Sequence, residues 1–193
     1  MAQTVRQAWV ALRVLLVMTV LVGIVYPFAV FVVGRVVPST ADGSFVTDAS
    51  GTVVGSALIG QSFDGSEWFW PRPSAAGDGY DGLASGGSNL AADNPDLVSA
   101  VAERQSAAAA ADGVAPAEVP ADAVTASGSG LDPDISPEYA LQQVTRVAAA
   151  RGLDVATVES LVADHTQGRA LGFVGEPRVN VLELNLALSQ LTP

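Results

Sequence analysis

The 193-residue sequence contains no cysteine and no lysine, and both absences exclude whole classes of chemistry. Without cysteine the chain can form neither a disulfide nor a thiolate metal site. Without lysine it has no Walker A phosphate loop, no Schiff-base residue and no lysine-containing phosphorylation loop of an ion pump. Histidine is almost absent too, because His165 is the only one, and no G-x-S-x-G motif accompanies it. The composition therefore predicts a chain without enzymatic chemistry of its own.

Positive charge is also scarce, with nine arginines against twenty carboxylates. Three of the arginines (Arg6, Arg13 and Arg35) flank one apolar stretch. From Ser39 onward six arginines face twenty carboxylates, a net formal charge of −14. A surface of this sign repels nucleic-acid phosphates, and it has no basic patch for anionic lipids. We therefore expect no nucleic-acid partner.

The apolar stretch runs from Val14 to Gly34, 21 residues without a charged side chain. As a helix it spans roughly 30 Å, the thickness of the hydrocarbon core of a bilayer. Membrane helices tolerate residues such as Gly23 and Pro27, because neighbouring groups satisfy the freed backbone. The alternative is a cleaved signal peptide with small residues at Ser39 and Ala41. The apolar run is longer than the about 7–15 residues of a signal sequence, which favours an anchor.

The arginines on either side of this helix predict its orientation. Two precede it and one follows it, and the positive-inside rule places the more basic flank in the cytoplasm. We therefore predict a short cytoplasmic segment over residues 1–13, a single transmembrane helix over 14–34 and an extracytoplasmic domain over 35–193. Membrane lipid is the first expected partner.

Local patterns predict a small α/β or α+β fold for that domain. Two β-rich runs, at 44–48 and 52–59, are typical of a hairpin. Asn94-Pro95 and Ser136-Pro137 each place a cap residue before a proline at the first helical position. The other predicted elements are a helix from Asp154 to near Gly168, a short strand at 170–174, and a helix capped by Asn180, for which a strand was the alternative.

Three features have both a structural and a functional interpretation. The cluster Trp68-Phe69-Trp70 is typical of a core-filling strand end, and the alternative is an exposed patch that docks on a partner. His165 lies at a predicted helix end, which favours a dipole contact over catalysis. Asp132 and Asp134 flank a proline and have no third ligand nearby, so a turn is favoured over a cation site. No metal site is predicted.

Seven stretches, taken in order, identify a family. They are GSALIGQSF at 55–63, WFWPRPSA at 68–75, ASGGSNL at 84–90, PADAVTASGSGLDP at 120–133, ISPE at 135–138, RVA at 146–148 and GEPRVNVLELN at 175–185. After one N-terminal membrane helix, and over nearly the whole chain, they resemble the C subunit of the Kdp potassium-transporting ATPase. One position departs, because Asp134 stands where the family usually carries histidine. That argues against a required histidine at this turn.

The resemblance implies an accessory subunit of an ATP-driven, high-affinity potassium pump in the plasma membrane of a bacterium. Its partners would be the potassium-conducting A subunit, the ATP-hydrolysing B subunit and the small F subunit. ATP and potassium would then be handled by the complex, with no cofactor and no catalytic residue on this chain. The family's C subunit is described as required for assembly, and as a catalytic chaperone that raises the ATP affinity of the B subunit.

The resemblance also proposes a nucleotide contact in the loop formed by Ser85, Gly86, Gly87, Ser88 and Asn89. Glycine-rich backbone can hold phosphate where its N–H groups converge. The predicted orientation puts this loop outside the cytoplasm, so we expect any effect on ATP to be indirect. Two alternatives remain open: direct nucleotide binding by this loop, and an acidic module that concentrates cations near the channel mouth. Partner contacts are expected at Gly23, Pro27, Trp68, Trp70 and Arg72.

Overall fold

A computed structural model describes residues 2–191 and divides them into two compact units. The first unit extends to Ser44 and the second begins at Phe45. The first contains the apolar helix, and the second contains the remaining strands and helices. This organisation confirms the predicted combination of one apolar N-terminal helix with a small α/β region.

The first unit is almost entirely helical. It consists of α1 (Ala2–Val20), a π-helical turn (Leu21–Val25), α2 (Tyr26–Val36) and the short α3 (Pro38–Ala41). The continuous helical segment Ala2–Val36 is, among the described residues, the one helix long and apolar enough to cross a membrane. Its residues are exposed except for Gly34, which is half-buried near Ala41 of the short α3. The helix is longer than the predicted span at both ends.

The π-helical turn has a local cause in Pro27. A proline inside a helix lacks the N–H group, and its ring clashes with the carbonyl four residues earlier, which here belongs to Gly23. The Tyr26 amide donates to the carbonyl of Leu21, five residues back, instead of four. The helix therefore widens by one residue just before the proline and continues without breaking.

The second unit begins with the predicted hairpin, made of β1 (Phe45–Thr47) and β2 (Val53–Ser56). The strands pair antiparallel, with an irregularity in register between Val46 and Thr47. Asp48 closes the connection, since its Oδ1 accepts from the amides of Ser50 and Thr52 at 2.8 and 2.9 Å. The hydrogen bond from the Ser50 hydroxyl, followed by those amides, lowers the pKa of Asp48. Residues 57–93 then contain neither helix nor strand.

The described part of this unit contains five α-helices and one 3₁₀ turn. They are α4 (Pro95–Asp112), a 3₁₀ turn (Pro116–Glu118), α5 (Ala121–Val124), α6 (Pro137–Arg151), α7 (Val155–Asp164) and α8 (Val181–Ser189). Asn94, Ser136 and Asn180 each accept a backbone hydrogen bond at the start of a helix, at 2.8 to 3.1 Å. Gly113 and Gly152 end α4 and α6 with positive φ angles of 70° and 67°. The capping prediction for α8 is confirmed, and its strand alternative is wrong.

Three very short strands form a second sheet. They are β3 (Asp134–Ile135), β4 (Thr166–Gln167) and β5 (Arg178–Asn180), in the order β3-β5-β4 with antiparallel pairing throughout. The core lies between this sheet and helices α6, α7 and α8. Its fully buried members include Val144, Val147, Val158, Val162, Val179, Leu184 and Leu188.

Three local predictions differ from the structure. Residues 170–174 form a tight turn closed by one bridge between Ala170 and Val174, because Leu171 and Gly172 both have positive φ and reverse the chain. Helix α7 ends at Asp164, four residues before the predicted end, because the chain then enters β4. The aromatic cluster at 68–70 fills the core as predicted but is not part of a strand.

Candidate functional site

The aromatic cluster Trp68-Phe69-Trp70 lies at the centre of the domain. Phe69 is completely buried, whereas the two tryptophans are partly exposed. The guanidinium of Arg146 stacks over the Trp70 ring at 3.9 Å, and that of Arg151 over the Trp68 ring at 4.3 Å. Cation–π stacking of this kind restrains both partners. The two predicted contact residues, Trp68 and Trp70, are therefore held in fixed orientations by α6.

Two buried amide side chains bind the backbone of this cluster. Asn185, on α8, accepts from the Phe69 amide and donates to the Phe69 carbonyl, both at 2.9 Å. Gln143, on α6, accepts from the Trp70 amide at 2.6 Å and donates to its carbonyl at 3.2 Å. We call this arrangement the amide clamp. The clamp provides hydrogen-bond partners for the backbone N–H and C=O groups of two consecutive residues, as a neighbouring strand would. An irregular segment can therefore cross the core without unpaired backbone groups at these two residues.

A buried ion pair between α4 and α6 lies next to the amide clamp. Arg146 Nε lies 2.8 Å from Asp112 Oδ1, with 6% and 0% of the two side chains exposed. Gln142 donates to the other oxygen of Asp112 at 2.7 Å. The remaining guanidinium nitrogens of Arg146 donate to the carbonyls of Ser66 and Trp68 and to the clamp oxygen of Gln143. A buried charge pair is stable only when its other hydrogen-bonding positions are filled, and here they are.

Arg72, the third predicted contact residue in the domain, follows the cluster. It links the irregular segment at 57–93 to Asp132. Its Nη1 lies 2.8 Å from Asp132 Oδ2, which places Asp132 in an ion pair as well as in a turn. The Tyr80 hydroxyl donates to the Arg72 carbonyl. Burial raises the pKa of Tyr80 to about 12, so the hydroxyl stays protonated. Arg72 is thus mainly a fixed structural contact in this chain, with a partly exposed side chain.

The glycine-rich loop from Ser85 to Asn89 packs against a second glycine-rich loop at 127–130. The Gly86 amide and the Ser85 hydroxyl both donate to the carbonyl of Ser129, at 2.8 and 2.9 Å. A Cβ added to Gly87 would lie 3.1 Å from the Gly128 carbonyl oxygen, so the two backbones are almost in contact. One of the loop's amides is therefore already used inside the domain. Asn89 has a positive φ of 52° and donates to the Gly87 carbonyl, which completes the turn.

The two predicted contact residues of the apolar helix lie at its irregularity. Gly23 is within the π-helical turn, and Pro27 follows it in the first turn of α2. A Cβ added to Gly23 would meet no atom within 4 Å. The surface at Gly23 is therefore open on this chain.

The other candidate side chains have structural partners. His165 follows the last residue of α7, and its Nδ1 lies 2.9 Å from the Leu161 carbonyl oxygen, as expected for a residue at a helix end. Asp134 Oδ2 lies 3.0 Å from Arg178 Nε; burial raises the pKa of Asp134, and Arg178 lowers it by a smaller amount. Among the described residues, no three His, Asp or Glu side chains are grouped so that they could hold a metal.

Sequence reasoning missed the residues that organise this site. Gln143 lies on the same face of α6 as the buried Ala140 and Val147, and Asn185 lies among the buried leucines of α8. An amide at a core position of an amphipathic helix is the one local signal that could have indicated the clamp. Its partners are 73 and 116 residues away, beyond the range of any local pattern.

Comparisons with known proteins agree with one another. The model of a family described as KdpC, K⁺-transporting ATPase, c chain, matches residues 8–190. A protein of Kineococcus radiotolerans is 63% identical over 188 residues, which cover 97% of this chain and 95% of the relative. Proteins of Beijerinckia indica and Mycobacterium tuberculosis are 51% and 52% identical over 194 and 188 residues, covering 100% and 96% of this chain and 96% and 99% of the relatives. All three are named potassium-transporting ATPase KdpC subunit.

Proposed function

The chain belongs to the KdpC family, the c chains of the K⁺-transporting ATPase, and from this premise we propose that it is a non-catalytic accessory subunit. It stabilises the assembly of the potassium-conducting A subunit with the ATP-hydrolysing B subunit, with the small F subunit as a further partner. The observation that carries this proposal is the way the chain uses its polar side chains. The arginine, amide and carboxylate groups at the centre of the domain bond to one another or to backbone, which suits a rigid docking body.

The proposal places hydrolysis on another chain. The sequence has no lysine, so it cannot contain the lysine of an ion-pump phosphorylation loop. Deleting this chain should leave the two large subunits expressed but poorly associated in detergent, with little potassium-stimulated ATPase activity. Recovery of a fully active pump without this chain would refute the proposed role.

The domain is proposed to lie outside the cytoplasm, and its effect on the B subunit's ATP affinity to be indirect. The unequal numbers of arginines at the two ends of the apolar helix support this orientation. The chain has no cysteine, so Ser88→Cys introduces a single thiol into the glycine-rich loop. We expect a membrane-impermeant thiol reagent to label it in intact cells. Labelling only after the cells are opened would place the loop in the cytoplasm and favour direct nucleotide contact.

The apolar helix is proposed to contact a partner's membrane helix at the π-helical turn. Small residues allow close approach of helices in membranes, and Gly23 is open on this chain. Gly23→Leu should therefore weaken co-purification of the complex, whereas Val20→Leu, at a side chain already 49% exposed, should not. Because a Cβ at Gly23 has open space around it on this chain, the loss would report on the partner. Equal effects of the two variants would reduce the helix to a tether.

A further inference from the structure

A small cavity of about 240 Å³ lies between α4, α6 and the segment that follows the aromatic cluster. Two arginines (Arg72 and Arg104), two tyrosines (Tyr80 and Tyr139) and two serines line it, together with Trp70, prolines and alanines. No carboxylate among the described residues lines it, although carboxylates outnumber arginines twenty to six in this part of the chain. The cavity is therefore an exception to the acidic character of the domain.

Arg104 brings an uncompensated positive charge to this cavity. Its Nη1 donates to the Val124 carbonyl at 3.1 Å. Within residues 2–191, no carboxylate lies close enough to form an ion pair with it, in contrast to Arg72, which is paired with Asp132. Partial burial removes some of the water that hydrates a guanidinium group. An anionic partner compensates for that loss of hydration.

Two further polar groups of the lining have no partner in the described part of the chain. Tyr139 is only 3% exposed as a residue; its hydroxyl oxygen keeps some contact with solvent and makes no hydrogen bond within the described residues. Arg72 Nε is fully buried and likewise has no acceptor. Both groups therefore have a donor that the described chain does not use, and of the two the Tyr139 hydroxyl is the one open to a bound ligand. Burial also raises the pKa of Tyr139, which keeps its hydroxyl available as a donor.

We propose that this cavity binds a phosphate group, held by the Arg104 guanidinium and the Tyr139 hydroxyl, with Arg72 completing the positive wall. Arginine suits this role because its planar array of N–H donors matches the oxygens of a phosphate. The volume lies below the about 300 Å³ at which sites for drug-sized ligands begin, so the cavity suits a phosphate with few other atoms. Inorganic phosphate and the phosphodiester of a lipid headgroup share this chemistry.

Intrinsic fluorescence can test the proposal, because Trp70 lines the cavity. The full chain in detergent is titrated with sodium phosphate, and separately with glycerophosphoglycerol, with sodium chloride keeping the ionic strength constant. We expect a saturable fluorescence change with at least one of the two compounds. The tighter binder identifies the source: inorganic phosphate indicates the free ion, and glycerophosphoglycerol indicates a lipid headgroup.

Three variants distinguish specific binding in the cavity from a general electrostatic attraction of phosphate to the protein. Arg104→Gln should raise the dissociation constant about tenfold or more, since a charge-assisted hydrogen bond is lost. Tyr139→Phe conserves the volume and should raise it by about threefold. Arg169→Gln removes an equal charge outside the cavity and should change it by less than about twofold. The proposal is overturned if neither compound saturates, or if Arg169→Gln weakens binding as much as Arg104→Gln in variants that keep the native near-UV circular dichroism.

Discussion

The amide clamp makes a prediction that depends on pH. Asn185 is 1% exposed, and its side-chain oxygen and nitrogen both bind the backbone of the fully buried Phe69. Asn185→Asp changes almost no volume and keeps one acceptor oxygen. When the new carboxyl is ionised, however, it faces the Phe69 carbonyl without a proton to donate. When it is protonated, its O–H can replace the lost N–H donor, so acid should restore the clamp.

The magnitude follows from the burial of this position. Full burial can raise the pKa of a carboxyl group by about 3–5 above its ordinary value near 3.9. A rise of about 3 brings it to about 7, so the unfolded chain loses the proton well before the folded one. Each pH unit between the pKa of the unfolded chain and that of the folded chain lowers the free energy of unfolding by about 1.4 kcal/mol. Asn185→Asp should therefore destabilise the domain by about 4 kcal/mol at pH 7 and by about 1.5 kcal/mol at pH 5.

Urea unfolding of the full chain in detergent, followed by tryptophan fluorescence, measures this difference. Asn94→Asp makes the same chemical change at the N-terminal cap of α4, where aspartate is an equally good cap. That control should be neutral or slightly stabilising at neutral pH. A loss in Asn185→Asp that is the same at both pH values, or below about 1 kcal/mol at pH 7, would show that the clamp does not hold the aromatic cluster in place.

Three smaller predictions concern the same domain. Gly130 and Gly113 have similar φ angles of 66° and 70°, but only at Gly130 would a Cβ lie 2.6 Å from two backbone atoms. Gly113→Ala should therefore cost about 1–2 kcal/mol and Gly130→Ala clearly more, in urea unfolding; equal losses would contradict the close packing of the two loops. Because burial raises the pKa of Asp134, this residue binds a proton on folding, and its contribution to stability should fall as pH rises past 3.8; Asp134→Asn should remove that contribution, so that its urea midpoint falls less, or rises more, than that of the unaltered chain between about pH 3 and about pH 6. Ser136→Ala removes the cap of α6 and should cost about 1 kcal/mol by the same assay, whereas no loss would mean that other bonds fix the helix start.

The parts of the fold that could be predicted are those that local chemistry determines. Three helix starts could be predicted from their cap residues, Asn94, Ser136 and Asn180, because a cap binds an amide only two or three residues away. Gly113 and Gly152 mark helix ends for an equally local reason, since both adopt a left-handed conformation. The apolar helix is predictable from length and charge alone.

The parts that could not be predicted depend on distant partners. Strands β3 and β4 have only two residues each, which is too few for a periodic pattern, and they exist only because β5 lies between them. Residues 170–174 are apolar enough for a strand, but Leu171 and Gly172 take positive φ angles and form a turn instead. For the site, sequence patterns indicated the aromatic cluster and the glycine-rich loop from Ser85 to Asn89. They did not indicate the Asp112–Arg146 pair, whose members are 34 residues apart.

The amide clamp also sets an order of events during synthesis of the chain. The aromatic cluster leaves the ribosome long before the two side chains of the amide clamp. Gln143 follows Trp70 by 73 residues, and Asn185 follows Phe69 by 116. At about 5–20 residues per second, α8 emerges roughly 6–23 s after the cluster it must hold. During the last part of this interval Gln143, Arg146 and Arg151 of α6 can already contact the cluster, but the backbone of Phe69 still lacks Asn185. A stop codon anywhere before α8 would therefore release a chain in which the backbone of Phe69 has no Asn185 to bind it.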